Sequence, residues 1–238
     1  MPHIKFNIDE GLVDYLPHPK PAGKFIPSWY KKMRTITQDI EKQGDATLKV
    51  DTPTVKKCTP VRDYLTSGYI IPYWTDTLIR RDSKGFFVDI SPARGEQQRY
   101  NSGISWHGLN QVRNSPLAQF TDTEKLVKVL CPWTVITPKG YSTLFFSPFY
   151  HEADITILPA IVDTDRYSSQ TNFPAIVTGK ECRLNIGDPL IQAIPFKRED
   201  WTSSVTTKDL SSKNIIMGAL QGFDSLYTRH FWRRKRYR

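Results

Sequence analysis

Glycine and proline break this chain into short segments. The 238 residues include 13 glycines and 17 prolines, many of which lie between short apolar runs. Each proline removes a backbone N–H donor and each glycine favours a turn, so a long helix is disfavoured across most of the sequence. The pattern predicts many short strands joined by turns, and the length is compatible with one large β domain.

Composition narrows the class of protein. No stretch approaches the roughly 18 consecutive apolar residues of a membrane span, and the mean hydropathy is negative, so we expect a soluble protein with no membrane partner. The N-terminus runs into a strand-like pattern without the apolar segment of a signal peptide. The three cysteines, Cys58, Cys131 and Cys182, are too far apart to predict a disulfide framework or a thiolate zinc site. They favour a reducing, intracellular compartment.

The second half of the chain has the clearest strand pattern. Runs rich in β-branched and aromatic residues predict strands at 126–130, 133–137, 141–147, 155–163, 172–177, 182–186 and 189–197. Residues 77–81 and 86–90 predict a hairpin whose turn is 82–85. The Thr-Asp-Thr-Glu run at 121–124 leaves a helix start open as an alternative to strand. Residues 37–52 and 91–120 are polar without clear periodicity, and we expect loops there.

Three short helical segments complete the predicted fold. They are Trp29–Thr35 with Ser28 as N-cap, the segment from Thr59 to Ser67 with Thr59 as cap, and an amphipathic C-terminal helix over 207–232. The predicted fold class is mainly β, a twisted β-sandwich or distorted barrel with short N-terminal helices and one C-terminal helix. A single domain is expected over 1–238. It comprises an N-terminal extension (1–68), a β body (69–200), the helix and a basic tail (233–238).

A motif series runs through most of the chain in a recognisable order. It comprises PKGYSTLFFSP at 138–148, IVDTDRY at 161–167, NFP at 172–174, GDPLIQAIPFKR at 187–198, IPSWY at 26–30 and FWRRKR at 231–236. The series resembles an uncharacterised family of proteins from tailed phages of marine cyanobacteria. The resemblance implies a phage-encoded protein that acts in the cytoplasm of the infected host or in the virion, and it implies no particular activity.

Residues 138–198 are also similar to the β scaffold of dUTPases and dCTP deaminases. The similar steps are the turn at 138–140, the segment 161–165 and the strand start at 187–192. In that superfamily the counterpart of Asp163 lies at the sugar and holds a water, and the counterpart of Gln192 contacts phosphate. The resemblance therefore implies a nucleotide site containing Asp163 and Gln192. The serine phosphate motif and the glycine-rich C-terminal arm of the superfamily are missing, which argues against triphosphate hydrolysis.

Three side chains are candidates for catalysis. Asp163 and Asp165 are two residues apart, so on a strand both would point to one face as a carboxylate pair; the favoured alternative is a strand end capped by turn-forming aspartates. His151, with the carboxylates at 152 and 154, would need a second histidine, His107 or His230, to form the iron site of an oxygenase. An exposed turn is the favoured alternative for His151, and we predict no metal and no cofactor.

Two stretches combine aromatic and basic residues. The polar segment 91–120 contains Trp106 and His107 together with Arg94, Arg99 and Arg113. These side chains could stack on bases and contact phosphates, or they could anchor a long loop on the body. The C-terminus is more concentrated, because six basic residues in 229–238 carry most of the net charge of +9. The residues predicted to bind a polyanion are Arg229, Trp232, Arg233, Arg234, Lys235, Arg236 and Arg238.

The tail admits three interpretations, and the chain as a whole admits three functions. The tail binds nucleic acid, binds an acidic protein surface, or docks by Phe231 and Trp232 on the body while the arginines stay solvated. The leading functional hypothesis is a non-enzymatic phage accessory or structural protein that acts by binding. The alternatives are a nucleotide-binding protein or enzyme and, less favoured, an iron-dependent oxygenase. Whether the chain forms homo-oligomers stays open.

Overall fold

The computed structural model of the chain describes residues 1–43, 46–82, 85–90, 103–120, 125–207 and 227–238. This part of the chain is mainly β, as predicted. Its strands are β1 (Lys5–Asn7), β2 (Lys20–Pro21), β3 (Ile36–Gln43), β4 (Ala46–Pro53), β5 (Tyr69–Pro72), β6 (Thr77–Asp82), β7 (Gly85–Ile90), β8 (Ile104–Gly108), β9 (Lys125–Leu130), β10 (Thr134–Ile136), β11 (Tyr141–Phe146), β12 (Ile155–Ile157), β13 (Ala160–Val162), β14 (Asn172–Val177), β15 (Glu181–Leu184) and β16 (Pro189–Lys197). Its helices are α1 (Ser28–Lys32) and α2 (Thr59–Thr66), with shorter helical turns at Glu10–Leu12, Ala22–Lys24, Val55–Lys57, Leu109–Gln111, Pro116–Phe120 and Tyr227–Phe231.

The chain divides into two compact units. The first contains residues 1–25 and 68–198, and the second contains residues 26–67 and 199–238. The N-terminal 25 residues belong to the β-rich unit because β1 pairs with β10 and β2 pairs with β5. The organisation of 1–238 as a single domain stays a prediction.

The described residues of the first unit form four antiparallel sheets. Their strand orders are β13-β11-β16-β5-β2, β12-β14-β9-β8, β15-β6-β7 and β1-β10. The two larger sheets contribute to one core, in which Phe145 of β11 lies against Phe173 of β14 with ring centroids 5.2 Å apart. Each sheet in the described chain is open at two edges, so the sandwich form of the predicted fold is the one observed.

Several strands were predicted correctly because buried and exposed residues alternate along them with a period of two. Along β14, Phe173, Ala175 and Val177 are buried while the residues between them are more exposed. Successive side chains of a strand point to opposite faces, so this pattern packs one face on the core. The bounds of β14 and β16 match the predicted ones, and the hairpin of β6 and β7 is confirmed with Asp82 opposite Gly85.

The predicted loop at 37–52 is wrong. These residues form most of an antiparallel ribbon in the second unit, with β3 paired to β4 from Ile36↔Pro53 to Gln43↔Ala46. Among the described residues this ribbon has two strands, so even its apolar Ile40 is 69% exposed, and such a ribbon has a mostly polar sequence. The signal that indicates it is the Gly-Asp dipeptide at 44–45 between two alternating runs.

The predicted loop at 91–120 is also wrong in part. Residues 104–108 form β8, which pairs with β9, and 3-10 turns follow it. Among the described strands, β8 lies at one edge of its sheet. Its apolar residues are Ile104 and Trp106, so the strand is easily missed in the sequence. Residues 91–102 and 121–124 lie outside the described residues.

The predicted strand at 155–163 is two strands in different sheets. β12 pairs with β14 and β13 pairs with β11, so the chain crosses between the large sheets at Leu158 and Pro159. Proline provides no N–H for a sheet ladder, which accounts for the break. The crossing brings the residues after β13 to the start of β11.

The helices are shorter than predicted. α1 ends at Lys32, and Pro27 occupies its N-cap position, where we expected Ser28. α2 is confirmed with Pro60 in its first turn, although Cys58 rather than Thr59 is the N-cap residue. Most of the predicted C-terminal helix, residues 208–226, lies outside the described residues. No helix within the described ranges is long and apolar enough to cross a membrane.

Candidate functional site

The two aspartates predicted as a carboxylate pair lie together beside the start of β11. The pairing of β13 with β11 places Asp163 next to Ser142, whose hydroxyl donates a 2.6 Å hydrogen bond to Asp163 Oδ1. The Gly140 N–H donates a 2.7 Å hydrogen bond to Asp165 Oδ2. Both aspartates follow the end of β13 and take part in a turn, as in the alternative interpretation of this motif.

Arg198, the residue after β16, joins the two carboxylates. Its guanidinium donates to both oxygens of Asp165 and, at 3.2 Å, to Asp163 Oδ1. It also donates to the Tyr141 carbonyl and the Ser142 hydroxyl, each at 2.9 Å. Four of these acceptors lie around Nη1, which has two hydrogens, so they share its donors, while Nη2 donates to Asp165 Oδ2. We refer to Gly140, Ser142, Asp163, Asp165 and Arg198 as the Arg198 cluster.

Asp165 is the buried carboxylate of the Arg198 cluster. Its side chain is 2% exposed, whereas that of Asp163 is 56% exposed. Hydrogen bonds from Arg198 and then from Gly140 lower the pKa of Asp165 to about 2. A carboxyl group with so low a pKa holds no proton near neutral pH, so Asp165 is unsuited to act as a general acid. The geometry is that of a fixed ion pair tying the end of β16 to the turn after β13.

Gln192, the other nucleotide-binding candidate, lies away from Asp163. It pairs with Phe146 at the far end of β11, four residues from Ser142, and its side chain is 1% exposed. Four residues of a strand span about 13 Å. The structure therefore does not bring Asp163 and Gln192 into one site, and Gln192 belongs to the buried interior.

The histidines considered for a metal site lie in different settings. His151 lies in a turn after β11, and burial lowers its pKa. His107 lies in β8 with Nδ1 2.9 Å from Gln111 Oε1, an oxygen that also accepts the Gly108 N–H. His230 is exposed in the C-terminal helical turn. Within the described ranges no group of three or more histidine, cysteine or acidic side chains is placed to hold a metal ion.

Two of the cysteines are core residues. Cys131 and Cys182 are buried, and burial raises the pKa of each thiol to about 12. A thiol with so high a pKa is protonated at neutral pH and a poor nucleophile. Their placement agrees with their interpretation as small buried hydrophobic residues.

The C-terminal segment docks on α2 within the second unit. The Trp232 indole N–H lies 2.9 and 3.0 Å from the two Asp63 carboxylate oxygens, and Lys235 Nζ donates to the same carboxylate. The Arg62 guanidinium lies over the Trp232 ring, 5.1 Å from its centroid. We refer to Arg62, Asp63, Trp232 and Lys235 as the terminal anchor. A second link joins the Thr59 and Thr228 hydroxyls, which are 2.6 Å apart.

The basic residues around the terminal anchor are exposed. They are Arg229, Arg233, Arg234, Arg236 and Arg238. Phe231 is 66% exposed, so of the two aromatics predicted to dock the tail, only Trp232 makes the close contacts described above. Two predicted polyanion-binding residues, Trp232 and Lys235, thus contact Asp63, while the arginines are presented to solvent.

Arg62 and Asp63 are members of the terminal anchor that sequence reasoning missed. They lie 169 or more residues from their partners, and no local pattern pairs residues so far apart. The charge of the second unit does give a signal. Residues 26–67 and 199–238 contain 16 lysine and arginine against 9 acidic residues, whereas the rest of the chain contains 17 against 15. Basic charge is therefore concentrated in the unit that carries the tail.

Comparison with known protein families and with curated proteins finds no match to this sequence. Part of the chain is similar to a phage dUTPase. That protein, a mutant dUTPase from phage phi11 of S. aureus, aligns over 35% of this chain and 71% of its own length, with 16% identical residues and a TM-score of 0.24. A similarity at this level says nothing about the activity of the present chain.

Proposed function

We propose that this chain is a tailed-phage accessory or structural protein that binds nucleic acid through its C-terminal segment. The phage origin rests on the motif series between residues 26 and 236. The binding role rests on one observation: Asp63 and Arg62 fix Trp232 in place, and the arginines on both sides of it are exposed. Action in the cytoplasm of the infected cell or in the virion follows from the same origin.

The terminal anchor favours binding because it holds part of the tail before a partner arrives. A free tail loses conformational freedom when it binds, and ordering it in advance lowers that cost. Lys235 is already paired to Asp63, so we assign the phosphate contacts to the exposed Arg229, Arg233, Arg234 and Arg236. Arginine suits this role because its planar guanidinium forms two parallel hydrogen bonds to a phosphate.

An exposed aromatic residue favours nucleic acid over an acidic protein surface. Phe231 is 66% exposed and lies between Arg229 and Arg233 in the sequence. Bases stack on aromatic rings while basic side chains follow the phosphates, which is how many proteins hold single strands. An acidic protein surface would use the arginines and leave Phe231 without a comparable role.

Binding of a fluorescent single-stranded oligonucleotide tests this function. The four-arginine variant carries Arg229→Gln, Arg233→Gln, Arg234→Gln and Arg236→Gln. The four-lysine variant, its control, loses the same charge from exposed positions of the first unit through Lys20→Gln, Lys24→Gln, Lys139→Gln and Lys180→Gln. We expect the four-arginine variant to bind at least about tenfold more weakly than the full-length protein, and the four-lysine variant to stay within about twofold.

Two results would overturn the function. Equal weakening in both variants would show that net charge, rather than the tail, drives binding. A second binding measurement uses polyglutamate as a mimic of an acidic protein surface. If the four-arginine variant loses polyglutamate binding while its oligonucleotide binding is unchanged, the tail binds acidic proteins instead.

A further inference from the structure

Three exposed basic side chains lie at the carboxyl end of α1, in the second unit. They are Lys31 and Lys32 in its last turn and Arg34 just beyond it. Within the described ranges none of the three forms an ion pair with an acidic side chain. Like charges so close together repel one another, and a bound polyanion removes that repulsion. We refer to Lys31, Lys32 and Arg34 as the α1 patch.

Another residue performs the usual task of a basic side chain at this end of a helix. Lysine and arginine near a helix carboxyl end commonly bind the last backbone carbonyls. Here Lys56 does so, because its ammonium donates to the Lys31 carbonyl at 2.6 Å and to the Met33 carbonyl at 2.8 Å. These carbonyls are thus satisfied without the α1 patch, whose charges face the solvent.

Hydrogen bonds within the second unit connect α1 to the C-terminal segment. The Tyr30 hydroxyl donates to the Lys56 carbonyl at 3.3 Å, which fixes the turn before α2 against α1. Three residues further on, the Thr59 hydroxyl lies 2.6 Å from that of Thr228, the residue before Arg229. Three residues of chain span at most about 11 Å, and the links together place the carboxyl end of α1 within about 30 Å of Arg229.

The residues between the α1 patch and the C-terminal segment suit a polyanion as well. Lys57 ends the helical turn before α2, and Arg62 is exposed on α2 itself. Asp63 is the one acidic residue of α2, and its carboxylate already accepts from Trp232 and Lys235. A strand that crosses α2 therefore meets no unpaired carboxylate of this helix that would repel its phosphates.

We propose that a nucleic-acid strand bound by the C-terminal segment continues over the start of α2 to the α1 patch. This inference rests on the proposed function and adds a second contact region to it. Lys31, Lys32 and Arg34 neutralise phosphates there, as the tail arginines do at the other end. A stacked strand advances about 3.4 Å per nucleotide, so up to about nine nucleotides cover the distance between the two regions. The ligand is therefore an extended single strand rather than a free nucleotide.

Binding of fluorescent oligothymidylates to two variants tests the α1 patch separately from the tail. The α1-patch variant carries Lys31→Gln, Lys32→Gln and Arg34→Gln. The three-lysine variant, its control, loses the same charge from exposed positions of the first unit through Lys20→Gln, Lys24→Gln and Lys139→Gln. With an oligothymidylate of about 16 nucleotides, we expect the α1-patch variant to bind at least about fivefold more weakly, with a salt slope smaller by about 2. The three-lysine variant should stay within about twofold of the unaltered protein.

A charge-conserving variant separates lost charge from a disturbed helix. It carries Lys31→Arg, Lys32→Arg and Arg34→Lys, which keep all three charges on α1 and just beyond it. Its affinity should stay within about twofold of that of the unaltered protein, because phosphate binding depends on the charge. Binding as weak as that of the α1-patch variant would show that the substitutions act through the fold and would overturn the inference.

The length of the oligothymidylate tests whether one strand reaches both regions. Affinity for the unaltered protein should rise with length up to about nine nucleotides, and affinity for the α1-patch variant should level off at a shorter length. Levelling off at the same length in both, or equal weakening in the α1-patch and three-lysine variants, would overturn the inference. The proposed function fails separately, if the four-arginine variant binds every length as the unaltered protein does.

Discussion

The Trp232 indole N–H points at the Asp63 carboxylate, a residue 169 positions earlier in the chain. The same carboxylate accepts a hydrogen bond from Lys235, and Arg62 covers the Trp232 ring. One acidic side chain of α2 therefore organises a segment that is otherwise strongly basic. Asp63 and Arg62 hold the C-terminal segment in place through Trp232 and Lys235, while the arginines of the segment are exposed to solvent.

Replacing Asp63 should release the tail. Asp63→Ala removes the acceptor for both Trp232 and Lys235, and a hydrogen bond to a charged group contributes enough that the open state should rise about tenfold. Trypsin cuts after accessible lysine and arginine. When the tail opens and closes faster than trypsin cuts, the rate of cleavage within 229–238 should rise in proportion to the population of the open state. Asp51→Ala, at an exposed position of β4, is the control and should leave the rate unchanged. Equal rates for the two variants would contradict the anchoring role of Asp63.

The Arg198 cluster should make stability fall in acid. The pKa of Asp165 is about 2 in the folded chain against 3.8 for the free side chain. A lowered pKa stabilises the fold above about pH 4, and this contribution is lost as the pH falls toward 2. Urea midpoints measured from pH 5 to pH 2 should therefore decrease more steeply for the unaltered protein than for Asp165→Asn. Parallel pH profiles would show that the Arg198 ion pair does not stabilise the fold, and Asp14→Asn, at an exposed position, should follow the unaltered protein.

Gly68 should tolerate no side chain. Its φ is +71°, and an added Cβ would lie 2.2 Å from the Ala193 carbonyl oxygen. Gly68→Ala should cost about 3 kcal/mol or more, from the left-handed backbone and from the clash. Gly187 has φ +94° but open space around it, so Gly187→Ala should cost only about 1 kcal/mol. Urea unfolding of both variants checks this, and equal losses would mean that β5 and β16 do not approach as described.

The contact between the two large sheets should dominate the stability of the first unit. Phe145 is completely buried against Phe173, so Phe145→Ala should lower the free energy of unfolding by about 3–5 kcal/mol. Phe149→Ala, three residues beyond the end of β11, should change it by less than about 0.5 kcal/mol because Phe149 is exposed. Similar losses from both substitutions would contradict the sandwich.

Local sequence patterns correctly predicted the elements that have a clear local signal. β14 and β16 have strong apolar content between turn residues, and α2 has Pro60 in its first turn and Gly68 just past its end. The ribbon of β3 and β4 was not predicted as strands because its sequence is mostly polar. β8 was not predicted because, among the described strands, it pairs with β9 alone and has few apolar residues.

The sites were harder to predict than the strands because they depend on distant partners. The sequence indicated Asp163 and Asp165 as a pair, since they are two residues apart. It gave no sign that Arg198 would meet them, because that contact depends on the order β13-β11-β16. In the same way the tail was visible as a charge cluster, while its attachment to Asp63 depends on tertiary structure.

The salt dependence of oligonucleotide binding tests the central claim most directly. Each phosphate contact adds about 0.7 to 0.9 to the slope of log affinity against log salt concentration. Between about 50 and 200 mM salt, the four-arginine variant should therefore show a slope smaller by about 3 than that of the full-length protein. The four-lysine variant should keep the full slope. A full slope in the four-arginine variant would contradict binding of phosphates by the C-terminal segment.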